Sequence, residues 1–297
     1  MAQTRWVADR LAESDPGATF QIQSIRTTGD GDPRPLFAMD QKGIFEREVD
    51  AAVAQSRVDF AVHSLKDVPS QLPDGLTLAC VPKRESARDV LITGDGSSLQ
   101  SLPRGSIIGT SSLRRAVQIR RSRPDVGVRP IRGNIETRIA KIDGANYHGI
   151  VLAQAGISRL NLDVISAALP EDEFVPSPGQ GSLAVVSRAD DHGLITLLKG
   201  IEDADSRLEA EAERALSGYV ESGCRFPLGA HASVDGPTMT LRAAAFSADG
   251  KKSAVARIAG DRRAPRDLAD RTAQDLRRQG VEALASGWRE SLEMWNR

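Results

Sequence analysis

From Asp59 to Ala153 the chain repeats one figure, a short apolar run followed by a polar or helical stretch, which restricts it to a layered α/β fold. Strand-like runs fall at 59–64, 76–81, 106–109, 126–131 and 149–153, and helical spacing of apolar residues appears at 113–123 and 135–143. Short apolar runs alternating with helices are the pattern of a doubly wound parallel sheet, whose strands are covered on both faces. Upstream, Trp6, Val7 and Leu11 give a helix over 4–13, residues 20–26 alternate like a strand, and 29–35 are a Gly/Pro-rich loop. Ile44, Phe45, Val49, Ala52 and Val53 then mark a second amphipathic helix.

The grammar changes after Pro176–Gly181 (PSPGQG), which with the apolar run 182–186 forms a crossover out of this region. A helix at 206–215 leads to a loop at 221–229. Strands at 239–245 and 254–258 flank a turn at 247–250, and a helix covers 265–284. This last part is a small α+β unit, and 288–297 add a further helical turn or two. At about 150 residues per domain, 297 residues hold two or three domains. The expected division is 1–84 with 182–200, then 88–178, then 204–297.

Composition narrows the function. A net charge of -1 with 40% hydrophobic residues is ordinary for a globular protein and suggests no nucleic-acid or membrane partner. No stretch approaches the roughly 20 apolar residues of a membrane span, and no leader pattern precedes Glu13, so the default location is cytoplasmic. Two cysteines, Cys80 and Cys224, cannot form a disulfide framework or a cysteine-only zinc site. His63, His148, His192 and His231 lack metal-ligand spacing, so no metal is expected.

Charge is not spread evenly. Thr110–Lys141 contains eight arginines and one lysine against Asp125 and Glu136, a local charge of +7. Solvated helix faces are the plain reading. Position favours another: Gly109, Thr110, Ser111 and Ser112 lie between a strand and a helix, where free N–H groups and the helix dipole attract an anion. Arg114 and Arg115 stand in the first turn of that helix, where a cation is otherwise unfavourable. No aromatic residue interrupts the segment, so base stacking is absent and small carboxylates fit better than nucleic acid.

A second polar cluster, His63, Ser64, Lys66 and Asp67, ends the strand 59–64 just before Pro69. Ligands bind at the carboxyl ends of strands in open α/β sheets, which makes Asp67 a candidate acid, base or charge stabiliser. The competing reading has Asp67 capping a turn and His63 as a satisfied core residue. Cys80, inside the run LTLAC, reads as a buried thiol. Cys224 sits in a glycine-flanked loop beside Arg225, where a thiol is either idle or ionised and nucleophilic.

Taken together, DQKGIFEREVD (40–50), AVHSLKDVP (61–69), GTSSLRR (109–115), RGNIETR (132–138), LAQAGISRL (152–160), PGQGSLAV (178–185) and GCRFPLG (223–229) resemble hydroxymethylbilane synthase, also called the porphobilinogen deaminase family. The resemblance implies two periplasmic-binding-protein-like α/β domains and a smaller α+β C-terminal domain. It implies head-to-tail condensation of four porphobilinogen molecules, with loss of ammonia, on a dipyrromethane primer held by a thioether to Cys224. Asp67 matches the catalytic aspartate. By motif match, Lys66, Ser64, Thr110, Ser111, Ser112, Arg114, Arg115, Arg132 and Gly133 serve the primer. Arg132, Arg138, Arg159, Gln180, Lys42, Phe45 and Gln3 serve the substrate, Lys42 and Phe45 from a lid-like segment. A monomer is implied.

Set against the family pattern, this sequence begins at the tail of a motif that follows a first strand. A central strand, an arginine and a serine are therefore expected to be missing, leaving neighbouring strands unpaired, the first core open, and stability and activity low. Two rivals share some of these features: a two-lobed carboxylate-binding or regulatory module without catalysis, and a nucleic-acid binder using the arginine segment.

Overall fold

The structure is a computed structural model that describes residues 1–25, 46–142, 146–220 and 226–291. Three sheets organise the described residues. The first has strand order β1 (Phe60–Ser64), β8 (Leu183–Arg188), β2 (Leu76–Cys80). In β8, Leu183 and Val185 point toward α1 (Ala2–Ser14) and Leu198, while Ala184 and Val186 point toward Val53 of α2 (Arg47–Ala54) and Ala210. An unbroken apolar run is what a strand covered on both faces requires, and SLAVVS supplies it.

The second sheet has order β5 (Gly127–Arg129), β4 (Ile107–Gly109), β6 (Gly149–Ala153), β3 (Asp89–Thr93), β7 (Ser166–Ala168). Leu91, Ile108 and Val151 bury on one face, and Val90, Ile92, Ile150 and Leu152 on the other. Its helices are α3 (Leu113–Ser122), α4 (Ile135–Ile139) and α5 (Gln154–Arg159). After β8 come α6 (His192–Leu198) and α7 (Ala204–Val220). The third sheet, β9 (Leu228–Asp235), β10 (Thr238–Phe246) and β11 (Ser253–Asp261), is an antiparallel meander packed on α7 and α8 (Pro265–Arg278).

The α/β, α/β, α+β arrangement agrees with the sequence reading, with four corrections. Among the described residues parallel pairing is confined to β5–β4–β6, because β3 and β8 follow the two crossing segments and run against their neighbours. The loop expected at 221–229 gives way to β9 from Leu228. The single helix expected at 265–284 is two, α8 and α9 (Val281–Ser291), broken at Gly280, whose φ of 80° ends the first.

The fourth correction concerns 20–26. Phe20–Ile25 forms no strand. Instead a cavity of about 1060 Å³ separates Thr19–Ile25 from Arg57–His63, closed in part by an edge-to-face contact of Phe20 with Phe60. Among the described residues β1 is paired only with β8.

Candidate active site

Asp67 closes a single 3-10 turn, Leu65–Asp67, that continues directly from β1. The turn is held from below: the Leu65 N–H donates to Ser182 O at 3.0 Å, and the Val68 N–H to Leu65 O. Leu65 is buried, so the side chain of Asp67 is turned outward and exposed. Behind it, His63 meets Asp50 at 3.0 Å with both side chains buried, which makes His63 a satisfied core residue rather than a catalyst. Ser64 and Gln3 bond each other at 3.0 Å beside this turn.

Lys66 lies within electrostatic range of charges on the second lobe. Burial lowers its ammonium from the ordinary value; Asp67 and Asp89 oppose that, while Arg115 and Arg114 reinforce it. A lysine that senses all four groups stands where the two lobes face each other. The same acid turn brings up Glu46, whose carboxyl is pushed up to about 7 by burial and by the Asp67 charge.

Across the cleft, Arg114 and Arg115 leave the first turn of α3, buried, and close on one carboxylate. Arg115 reaches Asp89 Oδ1 through Nε (3.0 Å) and Nη2 (2.7 Å), and Arg114 Nη1 lies 2.8 Å from Oδ2. Burial alone would raise the Asp89 carboxyl, yet the two guanidiniums outweigh it and hold it far below the usual carboxylate range. Two arginines against one aspartate leave a net positive charge. Arg138 adds to it: burial lowers its guanidinium, and Arg115 and Arg132 push the same way, so these three share one neighbourhood. Gly133 has φ of 120°, and a Cβ there would meet Thr137 at 2.7 Å, so the RGN turn that presents Arg132 needs glycine. Arg159, its charge disfavoured by burial, donates to Gly181 O at 2.5 Å.

The hydroxyls at this helix start have protein partners. Thr110 Oγ1 accepts from Ser112 N, Ser112 caps α3 by accepting from Arg115 N, and Ser111 donates to Ile131 O at 2.6 Å. Gln180 is buried and saturated, its Nε2 donating to Asp89 and to Ala87 O and its Oε1 accepting from Arg115. It steadies the arginine pair. Other members of the +7 segment are structural: Arg123 binds Asp125 and the carbonyls of Leu99 and Leu102, and Arg121 binds Gly250 O and covers Phe246.

Cys80 is buried, and burial pushes its thiol up to about 12, which fits an inert core residue. Cys224, Lys42 and Phe45 lie outside the described residues. No group of three or more potential metal ligands and no helix long and apolar enough to cross a membrane occurs among the described residues. Asp89 and Glu46 escaped the sequence reading. The signal for Asp89 was a charge heading an otherwise apolar run, DVLIT.

Comparison with known proteins adds the following. Residues 1–196 match the family described as "Porphobilinogen deaminase, dipyromethane cofactor binding domain", and 207–278 match "Porphobilinogen deaminase, C-terminal domain". A "Probable porphobilinogen deaminase" of Nitrosopumilus maritimus is 59% identical over 297 residues, covering 100% of this chain and 96% of its own length. "Porphobilinogen deaminase" of Exiguobacterium sp. is 42% identical over 291 residues, covering 96% and 94%, and that of Desulforamulus reducens 43% over 252 residues, covering 84% and 82%.

Proposed function

The chain belongs to the porphobilinogen deaminase family, and from that premise we propose a division of labour among its residues. The enzyme is a transferase that condenses four porphobilinogen molecules head to tail, releasing ammonia at each addition, to give hydroxymethylbilane. The observation that carries this reading is the closeness of the Lys66–Asp67 turn to the buried Arg114–Arg115 pair, the two joined through Gly179, which packs on the turn, and Gln180, which accepts from Arg115.

The cluster fits a dipyrromethane primer. Cations that depress one another's charge in a buried cleft call for an anion, and guanidinium forks match carboxylates. Bound through Cys224, the primer supplies a nucleophilic pyrrole carbon. Arg115, Arg132 and Arg138 hold carboxylates there, with Lys66, Ser64 and Gln3 at the turn and Arg159 at the crossover. Asp89 and Gln180 fix the direction of the arginine pair. Asp67, the exposed carboxylate of the turn, faces the substrate ring as its C–N bond breaks, ammonia departs and positive charge spreads over the pyrrole. A preset negative group stabilises that charge without reorganising.

Thr110, Ser111 and Ser112 shape the helix start and Gly133 the arginine turn. Lys42 and Phe45 act from the segment before Glu46. Domain boundaries at 84/88, 178/182 and 200/204 place both crossings beside this cleft. The chain works as a monomer in the cytoplasm and binds neither nucleic acid nor membrane. A carboxylate-binding module would need neither Asp67 nor Cys224. Intact mass separates the two: the enzyme carries an excess of two pyrrole units that Cys224→Ser abolishes, and a wild-type chain at its bare sequence mass would overturn the proposal.

A further inference from the structure

One buried carboxylate on α7 bonds both crossing segments and β9 without belonging to the cleft. Glu213 is fully buried. Its Oε1 accepts from Arg84 Nη1 and from the Ala232 N–H of β9, both at 2.7 Å. Its Oε2 accepts from Arg84 Nη2 at 3.2 Å and from the Gly179 N–H at 2.5 Å. Four donors from three separate segments converge on one side chain, and Arg84, also buried, meets it as a two-pronged fork.

Two arms lead from it to opposite cleft walls. In the first, Gly179 packs on the base of the acid turn: a Cβ there would stand 3.0 Å from the Lys66 backbone nitrogen, and three residues on Ser182 O receives the Leu65 N–H. In the second, Arg84 Nε donates to Gln180 O at 3.0 Å, and the Gln180 side chain binds Asp89 at 2.7 Å and Arg115 at 3.3 Å. The two crossing segments are pressed together where the arms diverge, since a Cβ on Gly181 would fall 2.3 Å from Glu85 O. Seven residues after Glu213, α7 ends at Val220, immediately before the segment that contains Cys224.

We infer that Glu213 is a positioning residue for the condensation: from the C-terminal unit it fixes, through Gly179 and through Arg84 and Gln180, the separation between Asp67 and the arginine pair. This rests on the function proposed above. Structural support alone would require only a paired charge, which a neutral pair could replace. Positioning requires that both arms stay attached.

The test is the double variant Arg84→Met, Glu213→Gln in the full chain. It leaves neither partner of the fork as a buried unpaired charge, glutamine still accepts from Gly179 or Ala232, and Glu209, which loses a longer 3.5 Å contact with Arg84, keeps the Val234 N–H, so Tm should stay near wild type. Turnover should fall on the order of 10- to 100-fold, the effect of misplacing groups by about 1 Å. KM should change much less. The two-pyrrole mass excess should remain, with partly extended chains accumulating on the protein. Wild-type kcat with wild-type Tm would overturn the inference. If the double variant fails to fold, Gln180→Met cuts the second arm alone and should lower kcat similarly; an unchanged kcat overturns the inference there too. A wild-type chain without the mass excess is a failure of the family reading, not of this one.

Discussion

Replacing Glu46 with glutamine should stabilise the protein above neutral pH and change little in acid. Glu46 is 6% exposed and sits among Asp67, Asp50 and His63. Burial and the Asp67 charge lift its carboxyl from 4.5 to about 7, His63 and its own backbone opposing. An acid whose folded value lies above its unfolded one binds more protons when folded, so its stabilising share is complete below about 4.5 and is lost as pH rises through about 7. A lift of this size is worth about 3 kcal/mol at pH 8. For a chain this long, that corresponds to about 6 °C in Tm or more. Glutamine has no charge to desolvate. Melting curves of both proteins at pH 4.5 and pH 8 should therefore nearly coincide in acid and separate by about 6 °C or more in base, with the variant higher. Equal separation at both pH values, or a less stable variant at pH 8, would refute the reasoning.

Other consequences follow from the same contacts. Asp89→Asn strips the buried countercharge from Arg114 and Arg115 and should cost about 3–5 kcal/mol, read as a large fall in Tm. Gly133→Ala should disorder the turn that presents Arg132, raising KM for porphobilinogen, with a modest fall in Tm because Gly133 is exposed while Ile131 and Ile135 beside it pack in one core cluster.

Much of the layout was legible because its physics is local. The apolar runs that became β6 and β8 are continuous because both faces are covered, and sequence shows that directly. The Lys66–Asp67 turn announced itself by polar residues at a strand end. Strand direction was not legible: β3 and β8 run antiparallel to their partners because of how crossings return, which no window of residues encodes. Nor could the +7 segment be sorted by inspection. Arg123 and Arg115 look alike in sequence, yet one closes on Asp125 two residues away and the other on Asp89, 26 residues away. The break at Gly280 was readable as a helix-ending glycine and was passed over. Phe20–Ile25 alternates like a strand and is none, since alternation supplies a face but not a partner.

Ammonia release from porphobilinogen by the wild-type chain and by Asp67→Asn tests the central assignment most directly. Asp67 is exposed and Asn keeps its shape, so the variant should fold, retain its primer mass and bind pyrrole carboxylates while releasing almost no ammonia. Release at the wild-type rate would remove Asp67 from the chemistry and contradict the account.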